Sequence, residues 1–244
     1  MKKSLIMTIV LVVSSAAYAG QATHWSYSGA EGPEHWGKLD PKFSACTEGK
    51  NQSPINLTGF IESDLKPIDI YYDAGGKEII NNGHSVQVNY TAGSKISVDG
   101  HEFEFKQFHF HAPSENHIKG KSYPMEAHLV HADEAGNLAV IAVMFTQGEA
   151  NNVIANAWSH MPGKAGGKGS FSSSVSAEGI LPSNRDYYRF NGSLTTPPCS
   201  EGVWWLVMKE PVTASKDQIE KFAQVMQHPN NRPIQPANAR PVLK

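Results

Sequence analysis

The run "LAVIAVMF", residues 138 to 145, constrains the fold of this chain more than any other stretch. Eight consecutive apolar residues fall far short of the ~20 that a helix needs to cross a bilayer. The run also lacks polar alternation, so a strand here must be covered on both faces, as in the middle of a large sheet. Shorter β-type runs surround it, separated by turn residues: "PIDIYYD", "SVQVNYT", "KISVDG", "HEFEFKQFHFH", "MEAHLVHAD", "YYRFNGS" and "VWWLVMKE". Helical periodicity is scarce. In "SKDQIEKFAQVMQ", Ser215 and Gln218 form a capping box, and Ile219, Phe222, Ala223 and Met226 share a face. "NNVIANAWSHMP" spaces Ile154, Ala157, Trp158 and Met161 in the same way before Pro162. "GKAGGKGSFSSS", residues 163 to 174, reads as a long surface loop. No repeat and no Pro- or Ser-rich linker is visible. The expectation is a mainly β, single-domain fold: a large, mostly antiparallel twisted central sheet with short peripheral helices.

The opening "MKKSLIMTIVLVVSSAAYAG" is set apart from that domain. Lys2 and Lys3 form a basic head, Leu5 to Val13 an apolar core, and Ala17 and Ala19 supply small residues for a peptidase. Residues 1–19 therefore read as a cleaved signal peptide and residues 20–244 as the exported domain, with the bacterial periplasm, or release from the cell, as destination. A membrane anchor is the alternative, and the apolar run is short for one. The formal charge of −2 gives no reason to expect nucleic acid or an anionic membrane as partner. In an oxidising compartment the only two cysteines, Cys46 and Cys199, are expected to pair. A closed loop of ~150 residues would stabilise the fold by roughly 5 kcal/mol in the chain-entropy model. Spacing alone does not show that the two meet, so a pair of free buried thiols is the other reading.

Histidine is not a favoured strand residue, yet "KQFHFHAPSE" holds two with one residue between them. Side chains of a strand alternate faces, so His109 and His111 project to one side, together with Gln107 and Phe105. Alone, such a pair serves equally as a surface or core feature. A catalytic zinc site needs a third protein ligand and an open position. The next strand offers it: in "MEAHLVHAD", Glu126, His128 and Val130 share one face, and an antiparallel hairpin would bring His128 across from the pair. His131 lies on the other face and reads as a hydrogen-bonded core residue. His101 points the same way as His109 but roughly 27 Å along the strand, too far to join it. Metal-bound imidazoles usually donate their second N–H to an acceptor. Gln107 and Glu126 each stand two residues from a candidate ligand, which strengthens the metal reading.

With these residues in view, "QFHFH", "EAHLVH", "SPIN", "NNGH", "GPEHW" and above all "SLTTPPCSEG" resemble the α-class carbonic anhydrases, in the family's order and across the whole exported domain. The leader and the cysteine pair are most similar to the exported bacterial branch. The resemblance implies a zinc enzyme that hydrates carbon dioxide reversibly to bicarbonate and a proton, inhibited at the metal by sulfonamides and anions, as a monomer or homodimer. It implies His109, His111 and His128 as zinc ligands and Gln107 and Glu126 as their acceptors. Thr195 takes the place of the threonine that receives a hydrogen bond from the attacking hydroxide and passes its own proton to an acid, here Glu115. His84 takes that of the proton-carrying histidine. Tyr27, Asn82 and Gln87 would line the wet side of the cavity. Val130, Val140, Leu194, Thr196 and Trp205 would form the substrate side. After His111 the chain reads "APSEN", where animal members commonly have a tryptophan and a longer loop.

Each assignment has a plainer counterpart. Thr195 and Thr196 stand before a proline pair and could be turn residues. Glu115 could be a solvated acid, and His84 could merely flank the Asn-Gly turn. The five tryptophans read more simply as packing than as substrate contacts. Two further functions compete with the enzyme, a catalytically inactive carbonic anhydrase-like binding module and a periplasmic zinc-binding protein. Zinc content measured together with carbon dioxide hydration separates the three.

Overall fold

A computed structural model describes residues 23–73 and 75–244. The proposed leader, residues 1–19, lies outside the described residues. In chain order the strands are β1 (Asn56–Leu57), β2 (Asp69–Tyr71), β3 (Gly76–Asn81), β4 (Val86–Tyr90), β5 (Lys95–Val98), β6 (His101–His111) and β7 (His117–Ile118). They continue as β8 (Met125–Ala132), β9 (Leu138–Gln147), β10 (Lys168–Val175), β11 (Tyr187–Ser193), β12 (Glu201–Met208) and β13 (Val212–Ala214). Among the described residues, four short α-helices accompany them: α1 (Trp36–Leu39), α2 (Ala45–Glu48), α3 (Asn152–Ser159) and α4 (Lys216–Met226). Eleven strands form one sheet whose main path runs β10-β3-β4-β6-β8-β9-β12-β11, and β1 and β7 make a small pair of their own. Pairing is antiparallel except where β9 meets β12 and β13, and in the β1–β7 pair. This is the mainly β, mostly antiparallel architecture expected.

The apolar run lies at the centre of this sheet, in β9. Ala139, Ile141, Val143 and Phe145 enter the main core, while Val140, Ala142 and Met144 enter a second core on the opposite face. On the main-core face, α3 and α4 pack through Ile154, Ala157, Trp158, Phe222 and Met226. The capping box of α4 is present: Ser215 Oγ accepts the Gln218 N–H at 3.2 Å, and Gln218 Oε1 accepts the Ser215 N–H at 3.0 Å.

Two expectations need correction. Residues 168–175 are not loop but β10, an edge strand paired with β3. Its Gly/Ser-rich sequence carries no apolar alternation, and besides the backbone ladder it is held by Val175 in the main core, Phe171 packed against that core and Lys168 paired with Glu78. The second concerns β6. Its register against β8 shifts between Phe105 and Gln107, a bulge centred on Lys106. One extra residue reverses the alternation. Phe103 and Phe105 before the bulge, and Phe108 and Phe110 after it, therefore all enter the main core. Phe105 does not share a face with Gln107, and His101 points away from His109. His101 instead pairs with Asp133 at 2.9 Å beside Trp204.

Candidate metal centre

Beyond the bulge, β6 turns Gln107, His109 and His111 to the face opposite the main core. His109 sits directly across from His128 on β8. The three imidazole centroids are 5.0, 5.3 and 4.6 Å apart. Each ring has one nitrogen engaged by an outer partner. His109 Nδ1 meets Gln107 Oε1 at 2.9 Å, His111 Nδ1 the carbonyl of Asn230 at 2.6 Å, and His128 Nε2 Glu126 Oε1 at 2.9 Å. These acceptors place the protons, so the lone pairs remain on His109 Nε2, His111 Nε2 and His128 Nδ1. The candidate ligand atoms lie within 4.8 Å of one another. Burial, first of all causes, lowers the pKa of all three rings, which keeps them neutral. Three neutral, convergent imidazole nitrogens are a donor set that suits zinc.

Two buried atoms without a hydrogen-bond partner support that fit, His111 Nε2 and Glu115 Oε2. They are 3.5 Å apart, and Glu115 Oε2 is 3.9 Å from His128 Nδ1. Unsatisfied buried polar atoms are costly. A cation among the three rings would give the His111 lone pair its partner.

Sequence reasoning found Gln107 and Glu126 but missed the third acceptor. A backbone carbonyl such as that of Asn230 has no residue signature. Glu126 is fully buried and holds four donors. Its Oε2 accepts the N–H groups of Glu115 (2.7 Å) and Asn116 (2.8 Å), and its Oε1 accepts Asn116 Nδ2–H (2.8 Å) and His128. Burial raises its pKa, and the Asn116 and Glu115 donors and His111 oppose that shift.

Glu115 is also buried, so it is not the solvated acid of the plainer reading. Burial pushes its carboxyl up to about 8, against the backbone N–H of Arg232 and the nearby Thr195 side chain, which lower it. Arg232 N donates to Glu115 Oε1 at 2.8 Å. The loop carrying Thr195 is tied down on two sides. Cys199 N–H donates to Thr196 O at 2.8 Å, and the Cys46–Cys199 disulfide joins the loop to α2. Arg232 was not foreseen. It is 1 % exposed and donates to Gln52 Oε1, Ser53 O and Cys46 O.

The three histidines close the floor of a cavity of about 190 Å³. Val130, Val140, Leu194 and Trp205 line it from one apolar cluster, the second core. Thr195, Thr196, Tyr27, Asn82, His84, Gln87 and Gln107 line it as well. Every residue expected on a cavity wall is on one. Trp25, one of the tryptophans read as core or cavity packing, also lines it, as does Ser85, which was not foreseen. The His84 ring stacks on Trp25 with centroids 3.6 Å apart and planes 9° from parallel. Its pKa is lowered, first by partial burial and then by the neighbouring His24 and His228. His131 is the core residue expected, bonded to Tyr72 OH at 2.8 Å and Ala139 O at 3.3 Å.

The sequence pattern of the eukaryotic-type carbonic anhydrases matches residues 31–244. A carbonic anhydrase of Pectobacterium carotovorum is 47% identical over 243 residues, covering 100% of both chains. The α-carbonic anhydrase of Thermovibrio ammonificans, solved with sulfanilamide, superposes with a TM-score of 0.90 at 50% identity, over 92% of this chain and 100% of that one. That of Photobacterium profundum gives 0.86 at 49% identity, over 91% and 100%. This chain belongs to the carbonic anhydrase family.

Proposed function

We propose that the protein is an exported, zinc-dependent carbonic anhydrase that hydrates carbon dioxide reversibly to bicarbonate and a proton. The observation that carries the reading is the set of three imidazole nitrogens, each left free by an outer acceptor on the other nitrogen and all within 4.8 Å of one another. Zinc there would be held by His109, His111 and His128, and would supply a water acidified to near neutrality. Everything else falls to the chain.

Thr195 orients the nucleophile. With its hydroxyl proton directed to Glu115, its oxygen is left to accept from the attacking group, which fixes where that group's lone pair points. Arg232 N–H and burial hold the Glu115 carboxyl in place for this. Val130, Val140, Leu194 and Trp205 give an apolar pocket suited to an uncharged substrate without donors. The polar lining residues Tyr27, Asn82 and Gln87 would hold the water that carries the proton. The proton released in each turnover leaves to His84, whose half-buried ring lines the cavity against Trp25. The disulfide fits the oxidising compartment that a leader at residues 1–19 implies, and the periplasm is the proposed location. Sulfonamides and small anions are expected to block the metal position.

Stopped-flow hydration of carbon dioxide, with zinc measured on the same purified protein, tests the reading. Turnover that needs one zinc per chain, and that sulfanilamide abolishes, is the expected result. Zinc without turnover would make the protein a metal buffer, and neither would make it a binding module.

A further inference from the structure

The ladder between β4 and β6 ends at Gln87 and His109, short of the loop that carries His84. Beyond that point side chains take over from the backbone. Ser85 Oγ donates to Phe110 O at 2.6 Å and accepts the Phe110 N–H at 3.2 Å. Asn230, fully buried, supplies the rest. Its Nδ2 donates to His84 O at 3.0 Å and to Phe110 O at 2.9 Å, while its Oδ1 accepts the Ala112 N–H at 2.9 Å. The carbonyl of the same residue accepts from His111 Nδ1. One residue thus touches the His84 loop, the strand bearing two candidate ligands, and a ligand ring.

The loop has internal bonds of its own. Asn82 Oδ1 accepts the N–H groups of His84 and Ser85, and Asn81 Oδ1 accepts that of Gly83, whose φ of +88° suits glycine. These bonds set the loop's shape, and away from β6 the segment is anchored through Asn81 to Pro162, Gly166 and Gly167 and through the His84 ring on Trp25. Against β6, at Phe110, the side-chain ties are those of Ser85 and Asn230.

We propose that the Asn230 side chain is a positioning residue for proton export, bridging His84 O and Phe110 O so that the His84 imidazole keeps a fixed separation from the three-histidine centre. The proposal rests on the reading of His84 as the proton carrier. Transfer through intervening water depends on alignment, and a displacement of about an ångström is enough to cost severalfold in rate.

The test uses the zinc-loaded protein with Asn230→Ala and Asn230→Asp. The aspartate keeps the size and the bond from Ala112, but sets an acceptor against two carbonyls. In weak buffer kcat should fall about fivefold, more than kcat/KM does, and added imidazole should restore it. In a His84→Ala background the Asn230 substitutions should lower kcat by a clearly smaller factor than they do in the parent. A readout independent of turnover is the His84 Cε1 proton resonance, moved upfield by the stacked Trp25 ring, which should shift in both variants. Equal losses in kcat and kcat/KM, additivity with His84→Ala, or an unmoved resonance in a folded variant would each overturn the proposal. A His84→Ala protein with full kcat in weak buffer would remove His84 from proton transfer and the proposal with it, a failure distinct from that of Asn230 alone.

Discussion

Glu126→Gln is the substitution that most directly tests how the candidate ligands are prepared. It removes no volume and one charge. The four donors around Glu126 are two backbone N–H groups on Oε2, and the Asn116 amide and the His128 ring on Oε1. A glutamine that keeps its oxygen toward the backbone turns its NH₂ toward Asn116 and His128. Asn116 cannot simply flip, because its Oδ1 accepts the Ile55 N–H at 3.2 Å. His128 must then accept at Nε2, which moves its proton to Nδ1, the nitrogen proposed to bind metal. The opposite glutamine rotamer sets its NH₂ against two backbone donors. Either way the site opposes the metal-ready tautomer. Loss of such an outer partner typically costs 10- to 100-fold in affinity, about 1.4–2.7 kcal/mol. Gln107→Ala should cost less, because Gln107 is half-buried and makes one such bond. Competition against a chelator gives the equilibrium constant, and zinc release after transfer to excess chelator gives the off-rate. A folded Glu126→Gln protein that binds zinc within twofold of the parent would refute the tautomer reasoning.

The remaining predictions concern proton export, the disulfide and acid stability. His84→Ala should lower kcat in weak buffer at least about tenfold while sparing kcat/KM, with rescue by imidazole; equal turnover of variant and parent would take His84 out of the mechanism. The disulfide closes 153 residues of sequence, so Cys46→Ser/Cys199→Ser should lose about 5 kcal/mol in urea unfolding and lower kcat/KM by loosening the Thr195 loop. Unchanged stability would show that the bridge constrains nothing. Buried His131 has its pKa lowered from 6.5 to about 3, so the unfolded chain takes up its proton first as pH falls. The neutral ring's contribution is intact above pH 6.5 and is lost progressively down to pH 3. By pH 4 the loss is about 3 kcal/mol. His131→Gln should flatten that part of the stability profile, and a parallel profile would assign the acid loss to other groups.

Much of the site was legible because strands obey a period of two. That rule put His109 and His111 on one face and identified His128 as the residue an antiparallel neighbour would bring across. It failed at Phe105 and His101, where one inserted residue reversed the alternation. The signal was in the sequence all the same: the phenylalanines stand at 103, 105, 108 and 110, and the step of three between the pairs marks the bulge. A strand with every phenylalanine in the core cannot have stayed in phase. Without that step, β6 could not bury Phe103 and Phe105 and still turn His109 and His111 to the cavity, so the bulge is a condition of the site. β10 was illegible for another reason. Its Gly and Ser residues bury little, and strand identity there comes from the neighbour β3.

What could not be read was the layer behind the ligands. Gln107 and Glu126 announced themselves by standing two residues from a histidine. The acceptor of His111 is a carbonyl 119 residues away in sequence. Any residue type offers a carbonyl, so only the folded chain reveals which one serves. The same segment reaches Glu115 through the backbone N–H of Arg232 and the His84 loop through the side chain of Asn230. The candidate ligand ring of His111, the acid proposed to orient the Thr195 hydroxyl and the proposed proton carrier His84 are therefore all referenced to one short stretch, residues 230 to 232. Fixing three separate groups to one segment, anchored by buried Asn230 and Arg232, keeps their mutual geometry under a common displacement, which independent supports would not do. Chemistry that needs alignment within about an ångström favours that arrangement.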